Sequence, residues 1–433
     1  MKTNIIRQLL LLLLLCFGKP VLAEQVSPDG KATQLFNEFN KQVYQIRVID
    51  IASGDKSSIG SGFQVSANGY VATNFHVVSS YIHEPEKYRL EYVSHNGITG
   101  ALEVKGIDVI HDLAVLKAEK LAANHFNFRR ESIAKGDRIF SMGNPQDLGM
   151  TIIEGNYNGL LKNSRFKKIL FSGSLNPGMS GGPALDINGL IVGVNVSKAT
   201  RGEQLSFLVP VQYLSTLVQQ VQTTAASNSS NQIESFQKVI ESTLHEDQDE
   251  FFQTILSQPF LTDSFGDLKL PTRLSPTLNC WGHSVDDEEI KYNSFHQHCK
   301  LDDQIYISND FYTGDFAYDY EWLTTSKLNP LQFYDALEQR YSHTKLYNLS
   351  GKKHATGYQC KSDFVRVADS SWKVSSCFRA YKDYKGLYDA LLLMALVERN
   401  DKAAILKIGA AGISKQNATL LFKKFMESIE WQH

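Results

Sequence analysis

The chain has 433 residues, enough for two or three domains with cores of their own. Its 44 basic and 46 acidic residues give a formal net charge of −2, and 42% hydrophobic with 21% charged residues is ordinary for a globular protein. Setting aside the three basic residues before position 24 leaves 41 basic against the 46 acidic residues, a balance that excludes the basic stripe of a nucleic-acid-binding protein.

The first 23 residues read as a signal peptide. Lys2 and Arg7 form a basic start, Leu9 to Leu15 is an unbroken apolar run, and Val21-Leu22-Ala23 offers a cleavage site after Ala23. The apolar run is too short to span a bilayer. Leu15 stands before Cys16 where a lipoprotein signal has a small residue. The mature chain is therefore expected to be exported, to a bacterial periplasm or beyond the cell, with no membrane span.

Short runs rich in Val, Ile, Phe and Tyr follow: 43–51, 60–65, 70–75, 113–118, 138–143, 168–173 and 190–196. They alternate with Gly, Asn and Asp, the pattern of an all-β barrel or sandwich. Three residues at strand borders carry possible chemistry. His76 lies in ATNFHVV, Asp112 in HDLAVLK, and Ser180 in NPGMSGGPAL. Each alone has a plain reading: a core histidine bonded to one carbonyl, a turn aspartate, and a tight Gly-Pro turn. Together they supply a base, an orienting acid and a nucleophile in a β-rich segment. Gly178 can turn its N–H towards the same concavity as that of Ser180, as an oxyanion hole needs. Met179 between them is expected to contribute backbone only. The basic residues Arg165, Lys167 and Lys168 read as a solvated strand edge or loop.

Residues 223–232, TTAASNSSNQ, read as a flexible linker. An α+β domain over 233–433 is expected after it. Helices are predicted over 233–258, with Phe236, Val239, Ile240 and Leu244 on one face, over 330–341 with Pro330 at the start, and over 414–431 with Ser414 as N-cap. Strands are predicted at 304–310 and 316–323, and a hairpin over 388–410 turning at 399–401. The aromatic run 311–322 reads first as core, with a binding face for peptides or glycans as the alternative.

Four cysteines follow the leader, Cys280, Cys299, Cys360 and Cys377, all in the second half. An even count in an exported chain favours two bridges. Local pairing, Cys280–Cys299 and Cys360–Cys377, is the first choice among three. His283, His296 and His298 beside the first pair are zinc ligands by type, but their spacing fits no finger, so neither metal nor cofactor is expected.

Residues 35–220 resemble chymotrypsin-fold serine proteases of the HtrA (Deg) branch. The resemblance rests on GSGFQVSANGYVATNFHVV, HDLAVLK, GNP, NPGMSGGPAL, GLIVGVNV and LSFLVPV. It implies two six-stranded β-barrels with a His76, Asp112, Ser180 triad in the cleft between them. It also implies an oxyanion hole from the N–H groups of Gly178 and Ser180. Met179 departs from the branch's usual Asn, and residues 233–433 show no PDZ carboxylate-binding loop. By the same resemblance Ser174 lies at the floor of the primary pocket, with Asn195, Val196 and Ser197 as walls. No carboxylate lies between Phe171 and Ser180. A Lys or Arg side chain would thus be desolvated there without compensation, and a small or medium aliphatic residue is expected instead.

The domains expected are therefore a leader (1–23), a trypsin-like protease (24–222), a linker (223–232) and an independent α+β domain (233–433). The last is expected to serve selection of protein or peptide substrates, or partner docking, and to leave the chemistry to the first. The function expected is serine endopeptidase. The alternative is a silent scaffold that keeps the fold, which a fluorophosphonate probe separates.

Overall fold

The computed structural model describes residues 30–432 apart from 120, 122, 197–205, 226–231, 287–290 and 344–348. The expected leader lies outside the described residues, as do Ser197 and positions 226–231 of the expected linker. Residues 223–225 are helical.

A short helix α1 (Gly30–Phe39) leads into the first sheet. Its strands are β1 (Val43–Asp50), β2 (Lys56–Gln64), β3 (Tyr70–Thr73), β4 (Tyr88–Val93), β5 (Thr99–Ala101), β6 (Glu103–Asp108) and β7 (Leu113–Lys117). They pair antiparallel in the order β5-β4-β1-β2-β3-β7-β6, seven strands where six were expected. Helix α2 (Phe75–His83) follows β3 directly. The sequence reading has a turn here. The segment is instead a helix that buries Phe75, Val77, Val78 and Ile82.

The second unit is a closed barrel in the order β10-β13-β12-β11-β8-β9. Its strands are β8 (Arg138–Gly143), β9 (Thr151–Leu160), β10 (Ile169–Phe171), β11 (Pro183–Leu185), β12 (Ile191–Val196) and β13 (Ser206–Pro210). Every strand-forming run predicted in this half contains a strand, although the run 70–75 ends in the first residue of α2. A core containing Val43, Phe63, Phe140, Met142 and Ile191 joins the two units. Helix α3 (Val211–Ala225) closes that core with Leu214, Leu217 and Val218.

The second half is β-rich. Helix α4 (Gln232–Ser257) buries Phe236, Ile240, Leu244, Phe252 and Ile255, while Val239 is exposed, so the stripe runs at four-residue steps without it. Two hairpins stand outside the main sheet: β14 (Leu261–Phe265) with β15 (Leu268–Arg273), and β18 (Ile305–Ser308) with β19 (Phe311–Thr313). The main sheet takes β16 (Asn279–Asp286), β17 (Asn293–Lys300), β20 (Phe316–Thr324), β21 (Gln359–Val367), β22 (Ser370–Ala380), β23 (Leu387–Leu396) and β24 (Lys402–Ser414). Its order is β16-β17-β20-β24-β23-β22-β21. Helices α5 (Pro330–Ser342) and α6 (Lys415–Glu427) start where predicted. Asn329 and Gln332 form a capping box on α5, and Ser414 accepts from the N–H of Asn417 on α6. Phe316, Tyr318, Tyr320 and Trp322 on β20 are buried, so most of the aromatic run is core.

The two halves do not separate as the sequence reading expects. One buried cluster holds Phe75, Val77, Val78 and Phe166 together with Phe236, Ile240, Leu244, Ile305, Ile307, Phe311 and Tyr384. Arg165 and Lys168 of the basic run belong to this junction and are not a solvated edge, whereas Lys167 is exposed as expected. Arg165 donates to Asp247 Oδ2 at 2.8 Å and stacks over Phe251 at 4.1 Å, and Lys168 pairs with Asp303. Burial lowers the Arg165 pKa, and the Asp247 carboxylate opposes that shift.

Cys280 is bridged to Cys299 and Cys360 to Cys377, the local pairing. Each pair sits directly opposite in an antiparallel hairpin. The closed loops span 19 and 17 positions. In the chain-entropy picture each bridge contributes about 3 kcal/mol. Replacing Cys360 and Cys377 by serine is expected to lower the stability of the full chain by about that amount. A chemical-denaturation midpoint unchanged by the substitution counts against it.

Candidate active site

Asp112 organises the first turn of α2. Asn74 precedes that helix but makes no side-chain cap. The first free N–H groups are taken instead from across the chain. Phe75 N–H donates to the Asp112 carbonyl at 3.2 Å, and His76 N–H to Asp112 Oδ1 at 2.9 Å. Asn74 Nδ2 donates to the same carbonyl at 2.8 Å. Asp112 reaches both positions from a left-handed backbone, φ 56°, a conformation Asp tolerates better than most residues. Its second oxygen lies 2.6 Å from His76 Nδ1. A carboxylate can only accept, so Nδ1 carries a proton, and in the neutral ring Nε2 presents the lone pair. The same acid thus fixes both the backbone and the tautomer of residue 76.

Ser180 reaches this wall through Ser61, a residue of the GSGF strand to which the sequence reading gives no role. Ser61 N–H donates to the Ser180 carbonyl at 2.8 Å. Ser61 Oγ donates to the Gly178 carbonyl at 2.7 Å and accepts from Asn144 N–H at 2.9 Å. The adjoining Gly60 shows how close the segments are. A Cβ there would stand 2.6 Å from Val77 Cγ1 and 3.2 Å from the Ser180 carbonyl. Among the described residues no hydrogen bond occupies His76 Nε2.

The loop before Ser180 is bent as its glycines require. Gly178 has φ 95°, and a Cβ there would lie 2.5 Å from the Asn144 carbonyl. Gly181 has φ 83°, and its N–H donates to the Asn195 carbonyl at 3.0 Å. Met179 between Gly178 and Ser180 is fully buried.

The residues expected at the substrate pocket differ among themselves. Ser174 is exposed and Val196 half-buried. Asn195 turns inward. Its Nδ2 donates to the Met142 and Met179 carbonyls, and its Oδ1 accepts from Ser141 Oγ at 2.8 Å. It braces the loop from behind. Among the described residues no group of His, Cys, Asp and Glu side chains is placed to hold a metal. The zinc-type histidines lie on the far sheet, where His283 and His296 stack at 4.5 Å and His298 pairs with Asp319.

Residues 60–194 match the trypsin-like peptidase domain. Over this stretch the chain is similar to trypsin-like peptidases, HtrA and DegP-like serine proteases among them. It is 29% identical over 200 residues to serine protease HTRA1A of Danio rerio, across 44% of this chain and 39% of that protein. It is 35% identical over 145 residues to a probable periplasmic serine endoprotease DegP-like of Chlamydia trachomatis, across 32% of this chain and 28% of that protein. The chain thus spans well under half the length of these relatives. The solved serine endoprotease from Yersinia pestis aligns with a TM-score of 0.39 at 24% identity, over 44% of this chain and 66% of that one. The match to the trypsin-like domain leaves everything after residue 194 outside it.

Proposed function

We propose that the chain is an exported serine endopeptidase in which Ser180, His76 and Asp112 act as nucleophile, base and orienting acid. The observation that carries this reading is the double grip of Asp112 on the backbone and Nδ1 of His76. His76 Nε2 takes the Ser180 hydroxyl proton as Oγ attacks the scissile carbonyl. The oxyanion is met by the N–H groups of Gly178 and Ser180. The imidazolium returns its proton to the leaving amine, and water then frees the acyl group by the same route in reverse. The Asp112 carboxylate stabilises the imidazolium without taking its proton.

Relatives named periplasmic endoproteases, and the leader read in the sequence, support export. Among the described residues no helix is long and apolar enough to cross a membrane. A role in envelope protein quality control or processing fits those relatives. Ser174 and Val196 present no anion at the pocket, in keeping with a small or medium aliphatic P1 residue.

The test is labelling of the mature chain with a fluorophosphonate, beside casein cleavage and peptide-library profiling. A chain that neither labels nor cleaves under any condition sinks the proposal. Gly178→Ala probes the oxyanion loop. Its Cβ would press on Asn144 and penalise the left-handed backbone. Loss of one aligned N–H costs on the order of 10²–10³ in turnover. Labelling at the wild-type rate would remove Gly178 from the oxyanion hole.

A further inference from the structure

The base is touched from the other half of the chain. The Tyr306 ring stands edge-to-face with the His76 imidazole, centroids 6.0 Å apart at 76°. It packs equally against Phe75 at 6.3 Å. The Tyr306 hydroxyl donates to Asn309 Oδ1 at 3.0 Å and lies 3.2 Å from Ser79 Oγ, which is itself 3.2 Å from the His76 carbonyl. Two protons serve these three contacts, so the Ser79 hydroxyl is shared between Tyr306 and the backbone of His76. One helical turn on, His83 Nε2 donates to the Ile307 carbonyl at 3.0 Å. Strand β18 therefore lies along α2 and holds it at both ends.

We infer that Tyr306 is a positioning residue for His76, so that the C-terminal half completes the working site. The inference rests on the peptidase reading above. Asp112 holds one edge of the imidazole, which leaves the ring free to swing about that edge. A buried aromatic wall beside it restricts the swing. Burial, with the Asp112 charge adding to it, pushes the Tyr306 hydroxyl up to about 12. The phenol thus stays protonated at neutral pH and brings no charge to the imidazole. Tyr306 is held by the neighbouring ring of Tyr312 at 5.4 Å and lies on a hairpin that the trypsin-like domain does not contain.

The experiment compares Tyr306→Leu and Tyr306→Phe in the full chain, by hydrolysis of a short peptide and by fluorophosphonate labelling. Leucine keeps the site apolar and filled but removes the planar wall. It is expected to lower kcat on the order of 10²-fold, the cost of misplacing a reacting group by about 1 Å, with KM within about twofold. Phenylalanine restores the wall and is expected to recover most of kcat. Wild-type kcat in the leucine variant, or a loss confined to KM, overturns the inference. A melting curve of each variant identifies a folded protein. Failure of the peptidase reading is recognised separately, because the wild-type chain itself would then neither label nor cleave.

Discussion

Ser180→Ala is expected to give a folded protein with no acyl-enzyme chemistry. The residue is 4% exposed, and backbone and neighbouring groups hold the loop around it. The Ser180 carbonyl is bonded to Ser61, the Gly181 N–H to Asn195, and the Asn195 side chain to Met179 and Met142. These bonds come from the Ser180 backbone and from neighbouring residues, so they remain available in the alanine variant. Turnover should fall by about 10⁶-fold, the scale on which loss of a serine nucleophile acts, and fluorophosphonate labelling should vanish. The melting transition should stay within a few degrees of wild type. Casein cleavage at the wild-type rate by the alanine variant would end the assignment. Loss of cleavage with a collapsed melting transition would assign Ser180 a structural role instead.

The second expectation concerns a chain stopped at Gln222. Read from sequence, such a truncation leaves a complete protease. The packing leads to the opposite result. Phe75, Val77, Val78 and Phe166 lie in one cluster with Ile305, Ile307, Phe311 and Tyr384, and the cut would expose the first set to water. Each large apolar side chain so exposed forfeits about 1.5–3 kcal/mol. A few of them rival the whole stability of a domain, about 5–15 kcal/mol. Arg165 would lose both Asp247 and Phe251, and Lys168 would lose Asp303. The truncated chain is therefore expected to aggregate or to melt far below the full protein, and to label with a fluorophosphonate at a small fraction of its rate. Full labelling by a soluble truncated chain would show that the second half is dispensable for the chemistry.

The parts legible in the sequence are those whose signal is local. Alternating runs marked the strands of the first half, and the Gly-rich loop marked the bend at Gly178. Neighbouring cysteines found each other because each pair closes one hairpin. Pro330 and Ser414 marked helix starts through capping chemistry that acts within one turn. What the sequence hid depends on distant partners. Lys168 reads as a solvated charge because its carboxylate, Asp303, comes 135 positions later. Tyr306 reads as one more strand residue, since its contact with Ser79 crosses 227 positions. Helix α2 was hidden for a related reason. Its β-branched Val77 and Val78 disfavour a helix locally, and burial against β18 with capping by Asp112 overrides that preference.

The two disulfides have a consequence that follows from where they sit in the large sheet. One joins β16 to β17 and the other β21 to β22, so each fastens an outermost strand to its inner neighbour. An outermost strand carries a row of unpaired N–H and C=O groups, the template on which a second chain can add and from which cross-β aggregation grows. Such a strand becomes dangerous when it peels away and offers both of its sides. Trp281 on β16 and Phe364 on β21 are large, apolar and mostly exposed, which makes both borders adhesive. A covalent staple between the border strand and its neighbour opposes peeling without covering the border itself. The sheet can therefore keep exposed aromatic residues at both margins while its border strands stay seated on their neighbours.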